Sequence, residues 1–186
     1  NKRMAANWFY GLWLLEKIIG IFPPRIAARI ELHISFFRNP WGGPFNGQAK
    51  RVELFSQVLK AVPFRAIVET GTYRGTTTQF MSQASSLPVY SVEMNRRYFH
   101  YAKLRFRDES RIYISHDESR KYLERLAAKE SFPHSYVLFY LDSHWGNDLP
   151  LREELKIISS HWKNSVIIID DFKVPGDSGY GYDDYG

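Results

Sequence analysis

From Gln48 onward the chain alternates between two textures. Short apolar runs at residues 65–69, 88–93, 111–115, 135–141 and 165–170 are separated by helix-length segments at 75–86, 95–106, 119–129 and 150–161, and a further helical segment, 48–61, precedes the first run. Strands joined by helical crossovers return to the same end of the sheet and so run parallel. The pattern predicts an α/β fold, a doubly wound and mostly parallel sheet with helices on both faces. The sequence shows no internal repeat.

The first 47 residues read differently, and they are expected to form a helical N-terminal extension ahead of a main domain at 48–186. Residues 8–22 carry Trp8, Leu12, Leu15, Ile19 and Phe22 on one helical stripe, closed by Pro23 and Pro24. Glu16 and Lys17 interrupt the run, which is shorter than the roughly 20 residues that span a bilayer. Two readings stay open for it: a helix packed on the domain or on a homodimer mate, and a peripheral membrane-surface helix. A second helix is predicted near 25–37, with Ile26, Ile30, Ile34 and Phe37 on one face. The loop "NPWGGPFNGQ" at 39–48 follows, and its Trp41 and Phe45, with Trp145 and the Tyr-rich tail, are candidate walls for a substrate. Trp162 is expected in the core.

Composition narrows the class. With 44% hydrophobic and 24% charged residues the chain is an ordinary globular one, and without cysteine it has neither disulfides nor thiolate metal sites. A cytoplasmic location is expected, with membrane-surface association as the alternative. The net charge of +5 would suit an anionic partner. Its basic residues around 96–111 are interleaved with aromatics and acids, however, and no nucleic acid is expected as partner.

The stretch "IVETGTYRGTTTQF" at 67–80 turns abruptly from strand to helix. In a doubly wound sheet ligands sit beyond the carboxyl ends of the strands, where strand order reverses. Gly71 allows close approach of backbone to ligand and Gly75 a tight start to the helix. Thr76, Thr77 and Thr78 offer hydroxyls to the helix's free amides. The pattern lacks the second glycine of the dinucleotide fingerprint and the Lys-Ser/Thr of a phosphate loop. Glu93 ends the next apolar run, 93 − 71 = 22 residues on, where a carboxylate can accept both hydroxyls of a ribose.

Together "VETGTYRGTT", "VYSVE" and "SHDES" resemble the class I S-adenosylmethionine (SAM)-dependent methyltransferases over residues 48–175. The resemblance implies a Rossmann-like methyltransferase fold and SAM as cofactor. It implies cofactor-binding roles for Glu69, Gly71, Thr72, Gly75 and Thr76 in the first turn, for Glu93 at the ribose, and for Asp117, Glu118 and Ser119 at the adenine. His116 is a further candidate for stacking near adenine. The implied strand order is 3-2-1-4-5.

That order brings "FYLDSHWGNDLPL" beside "VIIIDDFKVPGD". Asp142, Asp170 and Asp171 would then converge, and three carboxylates repel one another unless a cation such as Mg2+ sits among them. The arrangement resembles the metal-assisted O-methyltransferases, the macrocin and sugar O-methyltransferase group in particular. It implies Asp142, Asp170 and Asp171 as metal ligands, His144 with Asp142 as catalytic residues, and a small-molecule or sugar substrate. The group often carries an acid where His144 stands, so the histidine departs from the pattern. The family's sheet also has two more strands, and the expectation is that the polypeptide continues beyond Gly186. The competing expectations are a SAM-binding, methyltransferase-like module with a structural role, and a nucleic-acid methyltransferase. Against the second, "DSHW" stands where a base-pocket motif would be.

Overall fold

The computed structural model describes residues 12–143 and 148–170. Five strands form one parallel sheet: β1 (Ala66–Thr70), β2 (Val89–Glu93), β3 (Ile112–His116), β4 (Val137–Leu141) and β5 (Val166–Ile169), in the order β3-β2-β1-β4-β5. The chain first builds outward from β1 through β2 to β3, then returns to the other side of β1. Strand order therefore reverses at the β1/β4 boundary, where parallel pairing opens a crevice beyond the strand ends.

The helices follow the predicted alternation. α3 (Ala49–Ala61), α4 (Thr76–Ser85) and α5 (Arg96–Arg105) precede, connect or follow the first two strands, and α6 (Ser119–Ala127) and α7 (Leu151–His161) flank β4. Alternation within each strand sends successive side chains to opposite faces. Val68, Val92, Phe139 and Leu141 pack with Leu123 of α6, Ile158 of α7 and Trp162, whereas Ile67, Val89 and Leu138 pack with Phe55 of α3 and Met81 of α4. Both faces are covered, which is why the strands read as nearly continuous apolar runs. Trp162 is in the core as expected, its Nε1 donating to the Pro133 carbonyl at 2.9 Å.

Two helices precede this unit, α1 (helical over residues 12–19) and α2 (Pro24–Leu32). The second is shorter than the predicted 25–37. Ile34 is extended, and the chain continues as three 3-10 turns at Ser35–Arg38, Pro40–Gly42 and Pro44–Gly47. Ala27 and Ala28 of α2, with Ile19 and Phe37, pack against Tyr101 of α5. The small side chains let the two helices approach closely.

In the last of those turns Phe45 adopts φ 51° and Asn46 φ 56°. This left-handed backbone turns the Phe45 ring inward, 5.3–5.6 Å from Tyr140, Phe55 and Phe80. Phe45 is 2% exposed and belongs to the core. The expectation that it lines a substrate is corrected.

Candidate functional site

The cleft at the strand ends is built by four turns. Gly71 from the β1–α4 turn, Val92 and Met94 from the end of β2, Asp117, Glu118 and Ser119 from the β3–α6 turn, and Ser143, Asp148 and Pro150 after β4 line it. Gly71 has φ +88°, and a Cβ there would stand 2.2 Å from the Asp142 carbonyl oxygen. The floor of the cleft at this point must remain bare backbone. Gly75 is demanded by packing instead, since with φ +77° its Cβ would lie 2.4 Å from the Phe106 ring.

Glu93 lies just behind this lining. One carboxylate oxygen accepts from the Tyr73 amide at 2.7 Å and the other from the Asn95 amide at 2.8 Å. The side chain thereby staples the β1–α4 turn to the start of α5, and holds Tyr73 at its left-handed φ of 49°. Burial pushes the Glu93 carboxyl up to about 7, against the backbone hydrogen bonds that favour its charge. The Met94 amide is a third backbone donor to it, and the carboxylate retains acceptor capacity beyond these bonds.

The third turn is held by its own charges. Asp117 pairs with Arg125 and accepts from the Glu118 amide at 2.8 Å, while Glu118 caps α6 by accepting from the Arg120 amide at 3.1 Å. Ser119 meets Ser143 at 3.3 Å, and the Ser143 hydroxyl donates to Glu154 at 2.8 Å. Glu154 is buried, which raises its carboxyl. Sequence reasoning passed over it, although a second acid in the first turn of an amphipathic helix is a visible anomaly once its face is known. His116 is not inside the cleft: its Nε2 lies 3.0 Å from the Met94 carbonyl and its ring packs on Phe99.

The remaining residues of the first motif are held by hydrogen bonds within the chain. Glu69 is 1% exposed and accepts from Thr78 at 2.5 Å and Ser91 at 2.6 Å. Burial raises it to about 7. Thr72 bonds Ser91 at 2.6 Å, Thr76 donates to the Arg38 carbonyl at 3.0 Å, and Thr77 accepts from the Phe45 amide at 3.1 Å. The expected capping of α4 by these threonines is thus corrected. Its N-cap is Gly75, with no side-chain bond. The hydroxyls instead tie the turn to the N-terminal segment and to β2.

Arg74 shows how closely that segment is joined to the turn. Its side chain is 2% exposed and its Nη2 donates to Glu16 of α1 at 2.8 Å and to Glu31 of α2 at 2.6 Å. Glu31 also pairs with Arg97, and Tyr98 donates to Glu16 at 3.0 Å. Sequence reasoning missed this cluster. Its signal was two lone acids set among the apolar positions of otherwise basic helices.

Asp142 and Asp170 follow the paired ends of β4 and β5: the Asp142 amide donates to the Thr70 carbonyl and that of Asp170 to the Leu141 carbonyl, both at 2.9 Å. Asp170 is 3% exposed, ion-pairs with Arg51 of α3 and accepts from the Tyr140 hydroxyl at 2.5 Å. A guanidinium of the chain itself therefore supplies positive charge at this carboxylate. Among the described residues no group of three His, Asp or Glu side chains could hold a metal ion. His144, Trp145 and Asp171 lie outside the described residues, as does the side chain of Trp41.

No protein-family model matches this sequence, and no curated protein does. Solved structures do match. An O-methyltransferase from Bacillus cereus in complex with SAH is 13% identical at TM-score 0.56, covering 67% of this chain and 57% of its own. TomG from Streptomyces achromogenes, an O-methyltransferase involved in tomaymycin synthesis and solved with SAM, is 16% identical at TM-score 0.55 over 67% and 56%. The SAH-bound Podospora anserina methyltransferase PaMTH1 is 14% identical at TM-score 0.54 over 67% and 53%. The fold is that of the class I methyltransferases. The chain spans little over half the length of these three proteins, and at such identities the likeness is one of fold. In the class I methyltransferase fold of this chain, the turns after β1, β2 and β3 meet at one cleft beside the β1/β4 switch point.

Proposed function

We propose that this chain is a SAM-dependent methyltransferase that methylates a hydroxyl of a small molecule or sugar. The observation that carries the reading is the convergence of Gly71, Val92, Met94 and Asp117–Ser119 on one cleft. These residues fit the cofactor. Gly71 leaves backbone open to the methionyl part, Glu93 has acceptor capacity left for ribose hydroxyls, and Met94 offers apolar surface to adenine beside Asp117. SAM also supports the reading from outside, as the ligand of TomG. When bound, it supplies an electrophilic methyl group.

What remains for the chain is to orient an acceptor oxygen and take its proton. The Asp142 carbonyl abuts Gly71, Ser143 after it lines the cleft, and His144 follows in sequence. A carboxylate or a neutral imidazole there can serve as general base near neutral pH.

Divalent metal assistance is the second element of the proposal. Asp142, Asp170 and Asp171 would hold the ion, which would acidify the acceptor hydroxyl. The described donors do not fit it as they stand, because Asp170 is committed to Arg51 and Tyr140. That ion pair favours a second reading, methyl transfer without metal, with His144 or Asp142 as base. Titration calorimetry of SAM and SAH into the chain tests the cofactor. Saturable binding is expected, and none would refute the proposal. A screen of acceptors with and without chelator then separates the two modes of transfer.

A further inference from the structure

α1 is apolar on both sides. Leu15 and Ile19 turn inward, against α2 and Tyr101. On the opposite side Trp13, Leu14 and Ile18 are 52%, 45% and 48% exposed, and the following turn adds Ile21 at 82%, Phe22 at 47% and Ile26 at 48%. Six of the nine large exposed apolar side chains among the described residues thus fall within residues 13–26. A helix with apolar surface all round needs a partner on each face, and among the described residues the fold covers one.

Charge decides what the other partner is. The segment 12–32 contains two acids, Glu16 and Glu31, and both are directed to Arg74. Its outward charges are Lys17, Arg25 and Arg29, all basic. Lys17 sits 5.6 Å from the Trp13 ring, on the exposed apolar face itself. On the neighbouring surface of α5, desolvation, and after it the positive charges of Arg25 and Arg96, hold His100 below its usual value. Among the described residues the apolar strip is edged mainly by positive charge; Glu16, which lines the same surface as Trp13, Lys17 and Ile21, is paired with Arg74.

A second copy of the chain would bring the same cations against themselves in a two-fold contact, which opposes self-association. A bilayer of anionic lipid meets both features. Isoleucine and phenylalanine enter the acyl boundary, tryptophan lies at headgroup depth, and the basic side chains reach the phosphates. No helix among the described residues is long and apolar enough to cross a membrane, so the contact is one of a helix lying on the surface.

We propose that the outer face of α1 and the α1–α2 turn docks the protein on anionic membrane. The test is co-sedimentation of the full chain with phosphatidylcholine vesicles, with and without phosphatidylserine. The expected result is binding that requires phosphatidylserine and weakens with salt. Lys17→Gln and Arg25→Gln should each weaken it about fivefold, and Ile21→Ser about tenfold. These side chains are exposed, so the variants should melt with the parent, and a normal melt shows that lost binding is not lost fold. Three outcomes overturn the proposal: no vesicle binding by the parent, equal binding to neutral vesicles, or a dimer by light scattering that Ile21→Ser dissolves while vesicle binding is absent.

Discussion

Replacing Glu31 by Ala should cost more than any surface change, because its carboxylate stands between two guanidiniums with no water to replace it. The side chain is 0% exposed and accepts from Arg74 at 2.6 Å and from Arg97. Arg74, 2% exposed, is also sandwiched near the rings of Phe37 and Tyr73, at 4.4 and 4.6 Å. In the parent the cluster is neutral, Arg74 and Arg97 against Glu16 and Glu31. In the variant it carries one excess positive charge. Breaking a buried pair in this way costs about 3–5 kcal/mol, a large share of the roughly 5–15 kcal/mol that stabilises a domain. The loss should appear in urea unfolding followed by circular dichroism. Cofactor affinity should fall as well, although Glu31 does not line the cleft, because Arg74 belongs to the glycine turn. The double variant Glu31→Leu/Arg74→Met removes both charges and should recover at least about 2 kcal/mol relative to the summed single changes. Additive losses, or a cost for Glu31→Ala under about 1 kcal/mol, would refute the account of the cluster.

Further outcomes follow from single sites. Gly71→Ala adds roughly 1–2 kcal/mol of left-handed strain to a collision with the Asp142 carbonyl, and calorimetry should show cofactor affinity lost even where the protein still folds. Glu69, raised by burial from 4.5 to about 7, binds a proton on folding between those values. Its stabilising contribution is therefore full below pH about 4.5 and lost as pH rises through about 7; Glu69→Gln should flatten that part of the pH dependence of the urea midpoint. Glu93, also raised to about 7, is a better acceptor when ionised, so SAM affinity should rise from pH 6 to pH 8 in the parent and stay level in Glu93→Gln. Arg51→Gln releases Asp170 from its ion pair; if metal assists the reaction, the variant should bind Mg2+ more tightly by calorimetry, and unchanged binding would favour metal-free transfer.

The sheet was legible because its strands are buried on both faces and its crossovers have helical length. Apolar runs and their spacing record those two facts directly. Glu93 was legible as an acid ending a strand, but its use as a staple to Tyr73 depends on a left-handed residue that no local pattern announces. The same holds for Phe45, whose inward ring follows from positive φ in a loop rich in Gly and Pro. The threonines of the first turn were read as caps because capping is the local option. Tertiary partners 9 and 38 residues away took two of the hydroxyls instead. Arg74 was illegible for a related reason. A charged residue in a turn is ordinarily solvated, and only the packing of α1 and α2 over it makes it interior.

That packing also sets an order of events during synthesis. Glu31 precedes its partner Arg74 by 43 residues, and Glu16 precedes Tyr98 by 82. At about 5–20 residues per second, the first of these intervals alone leaves α1 and α2 without their inner partners for roughly 2–9 seconds. Through that interval the two helices are apolar and unpaired, their acids not yet neutralised by arginine. The start of the chain is thus made early and closed late, and the glycine turn acquires its final shape only when residues translated well before it fold back to meet it.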